Sequence, residues 1–192
     1  SMIKAYSDRG TGIIADVVIN HRNNLGVGGS WVDYPAETYK GETYQMLSTD
    51  IVKNDDGNKT LDWATKNGLS RSQNNDTGEG WDGCRDLDHK SQNVQNIIKA
   101  YVRYLKDDLG YTGFRYDMVK GFAAAHVADY NKAAGIEFSV GEYWDSNANI
   151  KSWIENTGKN SAAFDFQFRY NVRDAANGGN WTLLNSTNNL MH

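Results

Sequence analysis

Two carboxylates follow short apolar segments, and their placement suits nucleophile and acid chemistry. Asp117 comes directly after GFRY at residues 113–116, and Glu142 comes directly after VG about two dozen residues later. A third apolar segment, at residues 12–19, also ends in polar side chains. Apolar segments rich in β-branched residues and separated by helical stretches are typical of parallel strands whose carboxyl ends carry a site. We therefore expect both carboxylates at one edge of a parallel sheet.

The neighbours of the two carboxylates differ in chemistry. Arg115 lies two residues before Asp117, so the two side chains are on the same face of a strand and the guanidinium should keep Asp117 ionised and oriented. Glu142 is followed by Tyr143 and Trp144, whose rings should favour the protonated acid. The sequence thus predicts one carboxylate able to attack and one carboxylic acid able to donate a proton.

Alternating helices and strands must position these residues. We expect strands at residues 12–19, 113–116, 136–141 and 163–166, and helices at 91–109, 122–134, 150–155 and 169–176, after a helix end at 3–10. In the longest helix, apolar residues recur at three- and four-residue spacing, and Gly110 supplies the stop. These residues are Val94, Ile97, Ile98, Tyr101, Leu105 and Leu109. The alternation predicts right-handed parallel crossovers and an α/β sheet or barrel.

One connection is far longer than an ordinary crossover loop. About 65 residues separate His21 from Asp86, and they are rich in Asn, Asp and Gly. The segment also contains six aromatic residues that could stack on a ligand or pack in a core: Trp31, Tyr34, Tyr39, Tyr44, Trp63 and Trp81. A connection of this length indicates a small inserted subdomain or a functional loop.

Composition excludes several classes of protein. The balance of apolar and charged residues is typical of a soluble globular domain, and the net charge of −4 with interspersed signs gives no footprint for nucleic acid. No stretch approaches the ~18 apolar residues of a membrane span, and no signal segment is visible, so membrane insertion is not expected. Cys84 is the single cysteine, which excludes an intramolecular disulfide or a thiolate metal cluster.

Four motifs in this order resemble those of the α-amylase family of retaining glycoside hydrolases. DVVINH at 16–21 is similar to the family's first signature, GFRYDMVK at 113–120 to its second, and GE at 141–142 to its third. RDLD at 85–88 is similar to the short motif on the calcium side. The resemblance implies a (β/α)8 TIM barrel, of which this chain holds about strands 3 to 6. It implies barrel parts at 1–21 and 86–192 and an inserted small subdomain at 22–85 that forms a cleft wall.

The resemblance also implies roles for individual residues. Asp117 would be the nucleophile and Glu142 the general acid and base in cleaving α-1,4-glucosidic bonds of starch-like glucans. His21, Arg115 and Lys120 would contact the α-glucan oligosaccharide or polysaccharide. Two alternatives stay open: a noncatalytic starch-binding amylase-like protein, and a related transglycosylase or α-1,6-glucosidase.

A calcium ion is implied in the same way. Asn20 and Asp86 match the family's ligands and form a hard-oxygen pair suited to Ca²⁺, with backbone carbonyls completing the shell. Gly121 stands where many family members place a histidine that contributes its carbonyl. Glycine has the same carbonyl and should make this loop more flexible.

The match is incomplete in two places. The family's fourth signature, with its third catalytic carboxylate, has no counterpart after Phe166, and the first two strands are absent. We therefore expect a fragment that begins within a domain, is inactive by itself, and associates with another copy or with the complementary half of the barrel. Family resemblance favours an extracellular or periplasmic location.

Overall fold

The computed structural model describes residues 1–23, 33–55, 59–80 and 84–185, with only the backbone described for 59–61. Trp31 and Trp81, two of the aromatic residues expected in the insertion, lie outside these ranges. So does the C-terminal stretch 186–192. Within the described ranges, no helix is both long and apolar enough to cross a membrane.

Helices and strands alternate along the chain from residue 85 onward. The helices are α1 (Met2–Ser7), α2 (Lys59–Lys66), α3 (Gln92–Arg103), α4 (Ala125–Ala134), α5 (Asn147–Asn156) and α6 (Phe166–Gly178). The strands are β1 (Ile14–Val17), β2 (His21–Arg22), β3 (Glu37–Tyr39), β4 (Glu42–Tyr44), β5 (Arg85–Asp86), β6 (Gly113–Tyr116), β7 (Ser139–Gly141) and β8 (Ala162–Ala163). Short 3-10 turns occupy Ser48–Asp50, Val119–Gly121 and Trp181–Asn185, and a π turn occupies Tyr104–Asp108.

The central sheet is parallel, in the order β1-β6-β7-β8. Its buried side chains, such as Val17, Phe114 and Tyr116, belong to the same apolar cluster as Val94 of α3 and Val127 of α4. This confirms the predicted α/β class, and four parallel strands with intervening helices fit a partial TIM barrel. No closed barrel exists among the described residues.

Helix caps explain why some elements begin or end away from their predicted positions. The expected strand at 136–141 begins only at Ser139, because the Ile136 amide still donates to the Asn131 carbonyl at the end of α4. The last helix begins at Phe166 rather than residue 169, because the Asp165 side chain accepts from the Phe168 amide at 2.8 Å. That N-cap also restricts the last strand to two residues.

The predicted helix at 91–109 is divided in two. Ser91 caps α3, and Val94, Ile98 and Leu105 are buried as expected. Tyr101 and Leu109 are exposed, so their assignment to the buried face was wrong. The π turn at Tyr104–Asp108 changes the number of residues per turn, so the 3.6-residue period cannot be extended to residue 109.

The insertion is tied to the barrel at both ends. β2 pairs antiparallel with β5, which places His21 opposite Asp86. Between these strands, β3 and β4 form a hairpin that carries Tyr39 and Tyr44, and α2 carries Trp63. The Ala123 amide, just before α4, donates to Thr77 Oγ1 of the insertion at 3.1 Å. The predicted role of 22–85 as a cleft wall stays a prediction.

A buried histidine supports the segment that follows β1. Because the Ile19 carbonyl can only accept, His89 Nε2 donates to it at 2.9 Å, and Nδ1 then accepts from the Tyr130 hydroxyl at 2.8 Å. The ring stacks on Phe122 with centroids 4.3 Å apart. Burial lowers the pKa of His89 to about 3, so the imidazole is neutral and serves as a fixed link between the strand and α4.

Candidate active site

The sheet register brings Asp117 and Glu142 to the same edge. Tyr116 is paired with Gly141, and each carboxylate residue comes next in the chain. The Asp117 amide donates to the Val17 carbonyl at 3.0 Å, and the Glu142 amide donates to the Tyr116 carbonyl at 2.9 Å. Both backbone positions are therefore held by neighbouring strands, as is typical of sites on parallel sheets.

Arg115 joins three carboxylates. Its Nη1 atom lies 2.7 Å from Asp16 and 2.6 Å from Asp117, while Nη2 lies 2.9 Å from Glu142. Burial by itself would lower the pKa of Arg115, but hydrogen bonds to Asp16 and Asp117 and the charge of Glu142 raise it overall. The sequence predicted the pairing with Asp117, but it did not predict that the same guanidinium contacts Glu142.

The surroundings of Glu142 differ from those predicted, because Arg115 also contacts its carboxylate. The sequence suggested surroundings dominated by Tyr143 and Trp144, yet Glu142 Oε2 also lies 3.3 Å from the Met118 amide nitrogen, which donates to it. Trp144 is exposed and stacks on Phe166 with centroids 4.6 Å apart. The Glu142 carboxylate is therefore held by a cation and a backbone donor.

His21 lies within electrostatic reach of Asp117. Burial lowers the pKa of His21, while the negative charge of Asp117 acts in the opposite direction. The side-chain nitrogen Nδ2 of Asn20 is 3.3 Å from His21 Nδ1. The charge of the predicted nucleophile therefore acts on this predicted sugar-binding residue.

The three predicted calcium ligands also come together. Asn20 and Asp86 are both 1% exposed, and Asn20 Nδ2 donates to Asp86 Oδ1 at 3.1 Å. Asn20 Oδ1 is buried and has no hydrogen-bond partner among the described residues. An atom added at the Cβ position of Gly121 would lie 1.8 Å from that oxygen. The Asn20 side chain approaches the backbone of residue 121 so closely that only glycine fits there, and this accounts for the glycine better than loop flexibility does.

These donors fit a hard cation. Within the described ranges, no group of three or more His, Cys, Asp or Glu side chains could hold a metal ion. A cation here would instead use the amide oxygen of Asn20, the carboxylate of Asp86 and backbone carbonyls, a set that Ca²⁺ accepts. The buried Asn20 Oδ1, which has no hydrogen-bond partner among the described residues, is the observation that favours a bound cation.

Lys120 links the insertion to the segment that follows Glu142. Its ammonium lies 2.9 Å from Glu79 and 3.0 Å from Asp145, and it donates to the Trp144 carbonyl at 3.3 Å. The hydrogen bond to Glu79 is the main cause of its raised pKa. Sequence reasoning missed both carboxylate partners, because neither belongs to one of the recognised motifs. A sugar hydroxyl would have to replace one of these contacts.

The Asp145 carboxylate is anchored before α5. The Ser146 amide donates to it at 2.6 Å and the Asn149 side chain at 2.9 Å. The bond from the Ser146 amide is the main cause of a lowered pKa of Asp145, followed by the bonds from Asn149 and Lys120. Together they lower this pKa to about 2. One partner of Lys120 is therefore a carboxylate that two further hydrogen bonds hold in place.

Comparison with known proteins gives a consistent picture. No family model matches the chain. Probable alpha-amylase 2 from Arabidopsis thaliana is 32% identical over 190 residues, covering 90% of this chain and 41% of its own length. A solved alpha-amylase from Malbranchea cinnamomea gives a TM-score of 0.55 at 17% identity, covering 91% of this chain and 34% of that one. A solved cyclomaltodextrin glucanotransferase gives 0.62 at 18% identity, with coverages of 96% and 38%. The chain thus spans between 34% and 41% of the length of these proteins.

Proposed function

We propose that this chain, a relative of the α-amylase family that spans part of its catalytic domain, carries the two reacting carboxylates of an enzyme that cleaves α-1,4-glucosidic bonds in starch-like glucans. The observation that carries this proposal is the single guanidinium of Arg115, which contacts Asp117 and Glu142 together. Relatives named as alpha-amylases support the coarser assignment to amylase-like glycoside hydrolases.

We infer retention of configuration from the resemblance to the α-amylase family. In retaining enzymes the two carboxyl groups lie about 5–5.5 Å apart, whereas inverting enzymes leave about 6.5–9.5 Å for a water molecule. Asp117 and Glu142 both contact Arg115, which is compatible with the closer arrangement. We infer that Asp117 attacks the anomeric carbon directly.

The reaction would then proceed in two displacements. Asp117 forms a bond to the anomeric carbon as the glycosidic bond breaks, and Glu142 gives its proton to the departing oxygen. In the second step, the Glu142 carboxylate takes a proton from water, and the water oxygen displaces Asp117. Arg115 orients Asp117 before attack and stabilises the carboxylate that Glu142 presents between the two steps.

Supporting roles follow from position. His21, which feels the charge of Asp117, would donate a hydrogen bond to the sugar whose anomeric carbon reacts. Lys120 would reach the leaving-group side and exchange a contact with Glu79 or Asp145 for a sugar hydroxyl. The extracellular or periplasmic location stays a prediction.

The alternatives predict different products. A noncatalytic starch-binding protein would release no sugar, a transglycosylase would form longer or cyclic glucans, and an α-1,6-glucosidase would act on branch points. We expect the whole barrel enzyme to release short oligosaccharides from maltoheptaose that first appear as the α-anomer, because two displacements retain configuration. Proton NMR of the anomeric signals during the first minutes tests this; initial β-anomer, or no turnover, would contradict it.

Calcium is proposed to join the insertion to the barrel through Asn20, Asp86 and the Gly121 carbonyl. A ligand that binds only the folded state stabilises it by mass action. Removing calcium with a chelator should therefore lower the melting temperature, by about 5–10 °C if the metal was present at about a hundred times its Kd. Calorimetry with and without chelator measures this shift.

The Asp86→Asn variant is the matched control, because it keeps the shape of the side chain but removes its charge. The chelator should change its melting temperature much less. Equal melting of the original protein in chelator and in added calcium would contradict a structural calcium site.

The exposed face of the sheet supports the expected association. Ile14 and Val18 are each 46% exposed, and β1 and β8 are the edge strands of the described sheet. Apolar side chains and open edges favour pairing with another surface. We propose that the 192 residues by themselves associate and do not hydrolyse starch.

Size-exclusion chromatography with light scattering, run alongside a starch assay, measures both properties. The chain should elute as a dimer or larger species without activity, and Ile14→Lys combined with Val18→Lys should shift it towards monomer. Met2→Lys, at an exposed apolar position away from the sheet, is the control. An active monomer of these residues alone would refute the proposal.

A further inference from the structure

Asn131 is a polar residue on the buried face of α4, which also carries Val127, Tyr130 and Ala134. Its side chain lies inside the protein, since the residue is 3% exposed. Asparagine is a weaker helix former than alanine or leucine, and a buried amide costs free energy unless its hydrogen bonds are satisfied. The contacts of the side chain must therefore explain an asparagine at this position.

The Asn131 amide forms hydrogen bonds to three segments of the central sheet. Its Oδ1 accepts from the Tyr116 hydroxyl of β6 at 3.0 Å, and burial raises the pKa of Tyr116, so this hydroxyl stays protonated. Its Nδ2 donates to Ser139 Oγ of β7 at 2.7 Å and to the Asn160 carbonyl, two residues before β8, at 2.9 Å. Because a carbonyl can only accept, the contact with Asn160 fixes the direction in which the amide points.

Two serine hydroxyls continue this network towards β8. Ser139 Oγ accepts from Asn131, so its own proton is available for Ser161 Oγ at 2.8 Å, which is nearer than the Asn160 carbonyl at 3.4 Å. Ser161 donates in turn to the Ala162 carbonyl at 3.0 Å. Both serines are buried, so these bonds are shielded from water.

The relative position of β6 and β7 decides whether this network can form. Neighbouring residues of a strand are ~3.3 Å apart, so a shift of one strand by one residue would separate Asn131 from Tyr116 or from Ser139. Buried donors and acceptors without partners are strongly disfavoured. The network therefore favours the register in which Tyr116 pairs with Gly141.

The same register places the two carboxylates on the opposite face of the sheet. Successive side chains of a strand alternate between faces, so Arg115 points away from the side that Asn131 contacts. The Glu142 amide donates to the Tyr116 carbonyl at 2.9 Å, and Arg115 contacts both Asp117 and Glu142. Any movement of β7 along β6 would therefore change the distance between the two carboxylates.

We propose that Asn131 is a positioning residue for the carboxylate pair. Through Tyr116 and Ser139 it holds β6 and β7 so that the strand ends that carry Asp117 and Glu142 stay in register. The reaction that the pair performs rests on the proposed function, but the placing of the strand ends does not.

Amide hydrogen exchange tests this placing without any activity. In the 192-residue chain, ¹⁵N NMR follows the Glu142 amide, which donates from the end of β7 to β6, and the Asp117 amide, which donates from the end of β6 to Val17 of β1. Asn131→Ala should speed exchange at Glu142 by about tenfold or more and at Asp117 much less, because the contact between β6 and β7 loses its support. Asn171→Ala removes another buried asparagine side chain, on α6, and should leave the ratio of the two rates unchanged.

Tyr116→Phe gives the answer if Asn131→Ala does not fold, because it keeps the ring in the core and removes one hydroxyl. It should raise the ratio of the Glu142 rate to the Asp117 rate several-fold. Its effect should be smaller in the Asn131→Ala background than alone, since both changes remove the same bond. Equal acceleration of the two amides, or none, would show that Asn131 contributes only to global stability and would overturn the proposal.

The catalytic consequence is measured in the whole barrel enzyme. Asn131→Ala should lower kcat for starch by about tenfold per folded molecule with little change in KM. Fluoride release from an α-glucosyl fluoride should fall less, because that bond breaks without a proton from Glu142. Equal losses on both substrates, or a loss confined to KM, would contradict the positioning of the acid relative to the nucleophile.

Failure of this inference can be told from failure of the proposed function. If Asp117→Asn and Glu142→Gln impair hydrolysis but Asn131→Ala leaves the ratio of starch to fluoride rates unchanged, Asn131 is not a positioning residue and the proposed function stands. If both carboxylate variants hydrolyse starch normally, the proposed function is wrong, and the exchange rates alone decide whether Asn131 places the strand ends.

Discussion

Replacing Asp117 by Asn should abolish starch hydrolysis in the whole barrel enzyme, with a loss on the order of a thousandfold or more. An amide oxygen is a poor nucleophile, so no glycosyl intermediate can form. Asn keeps the size of the side chain and can still accept from Arg115 at the position now 2.6 Å away. The protein should therefore fold normally and retain oligosaccharide binding. Initial rates on starch, with circular dichroism and calorimetry of maltotriose binding, check these expectations.

Asp174→Asn provides the control for this substitution. Asp174 pairs with Arg173 on α6, away from the carboxylate pair, and its side chain is 52% exposed. Its variant should hydrolyse starch at the original rate. If Asp117→Asn retained turnover within a few-fold of the original, Asp117 would not be the nucleophile.

Replacing Glu142 by Gln should lower starch hydrolysis by about a hundredfold or more, because the amide keeps the shape of the side chain but cannot deliver a proton. Binding of oligosaccharides should remain. An activated glycoside, whose leaving group needs little protonation, should lose less in its bond-breaking step than starch does. Comparing steady-state rates on starch with release of the activated leaving group separates the two effects.

Glu155→Gln, an exposed substitution of the same type on α5, should have no effect on either substrate. Turnover of both starch and the activated glycoside within a few-fold of the original in Glu142→Gln would show that another group is the acid.

The sequence predicted the sheet well, because local signals determine most of it. The strand at 113–116 matches β6, and Gly110 and Gly135 end their helical segments in the left-handed conformation that glycine favours. The predicted element ends and buried faces are wrong where one capping side chain or one irregular turn interrupts the regular hydrophobic period. Asp165 caps α6 and ends the last strand early, and the π turn after α3 shifts Leu109 out of the buried face.

The sequence was enough to predict which residues belong to the candidate site, but not which of them contact each other. The motif positions alone predicted that Asp117, Glu142 and His21 belong to one site. The contact between Arg115 and Glu142 depends on the register between β6 and β7, which periodicity does not determine. Lys120 forms ion pairs with both Glu79 and Asp145, and these two carboxylates are more than sixty positions apart in the chain. Only the fold therefore reveals this contact.

The most direct measurement of the central claim is to identify the residue that becomes covalently glycosylated. In Glu142→Gln, an α-glucosyl fluoride should form the intermediate, because fluoride leaves without a proton, while hydrolysis of the intermediate is slow without the general base. Peptide mapping by mass spectrometry should then find one hexose on the peptide that contains Asp117 and none in the Asp117→Asn double variant. A hexose on any other residue, or fluoride release without an adduct and with inverted configuration, would contradict the account.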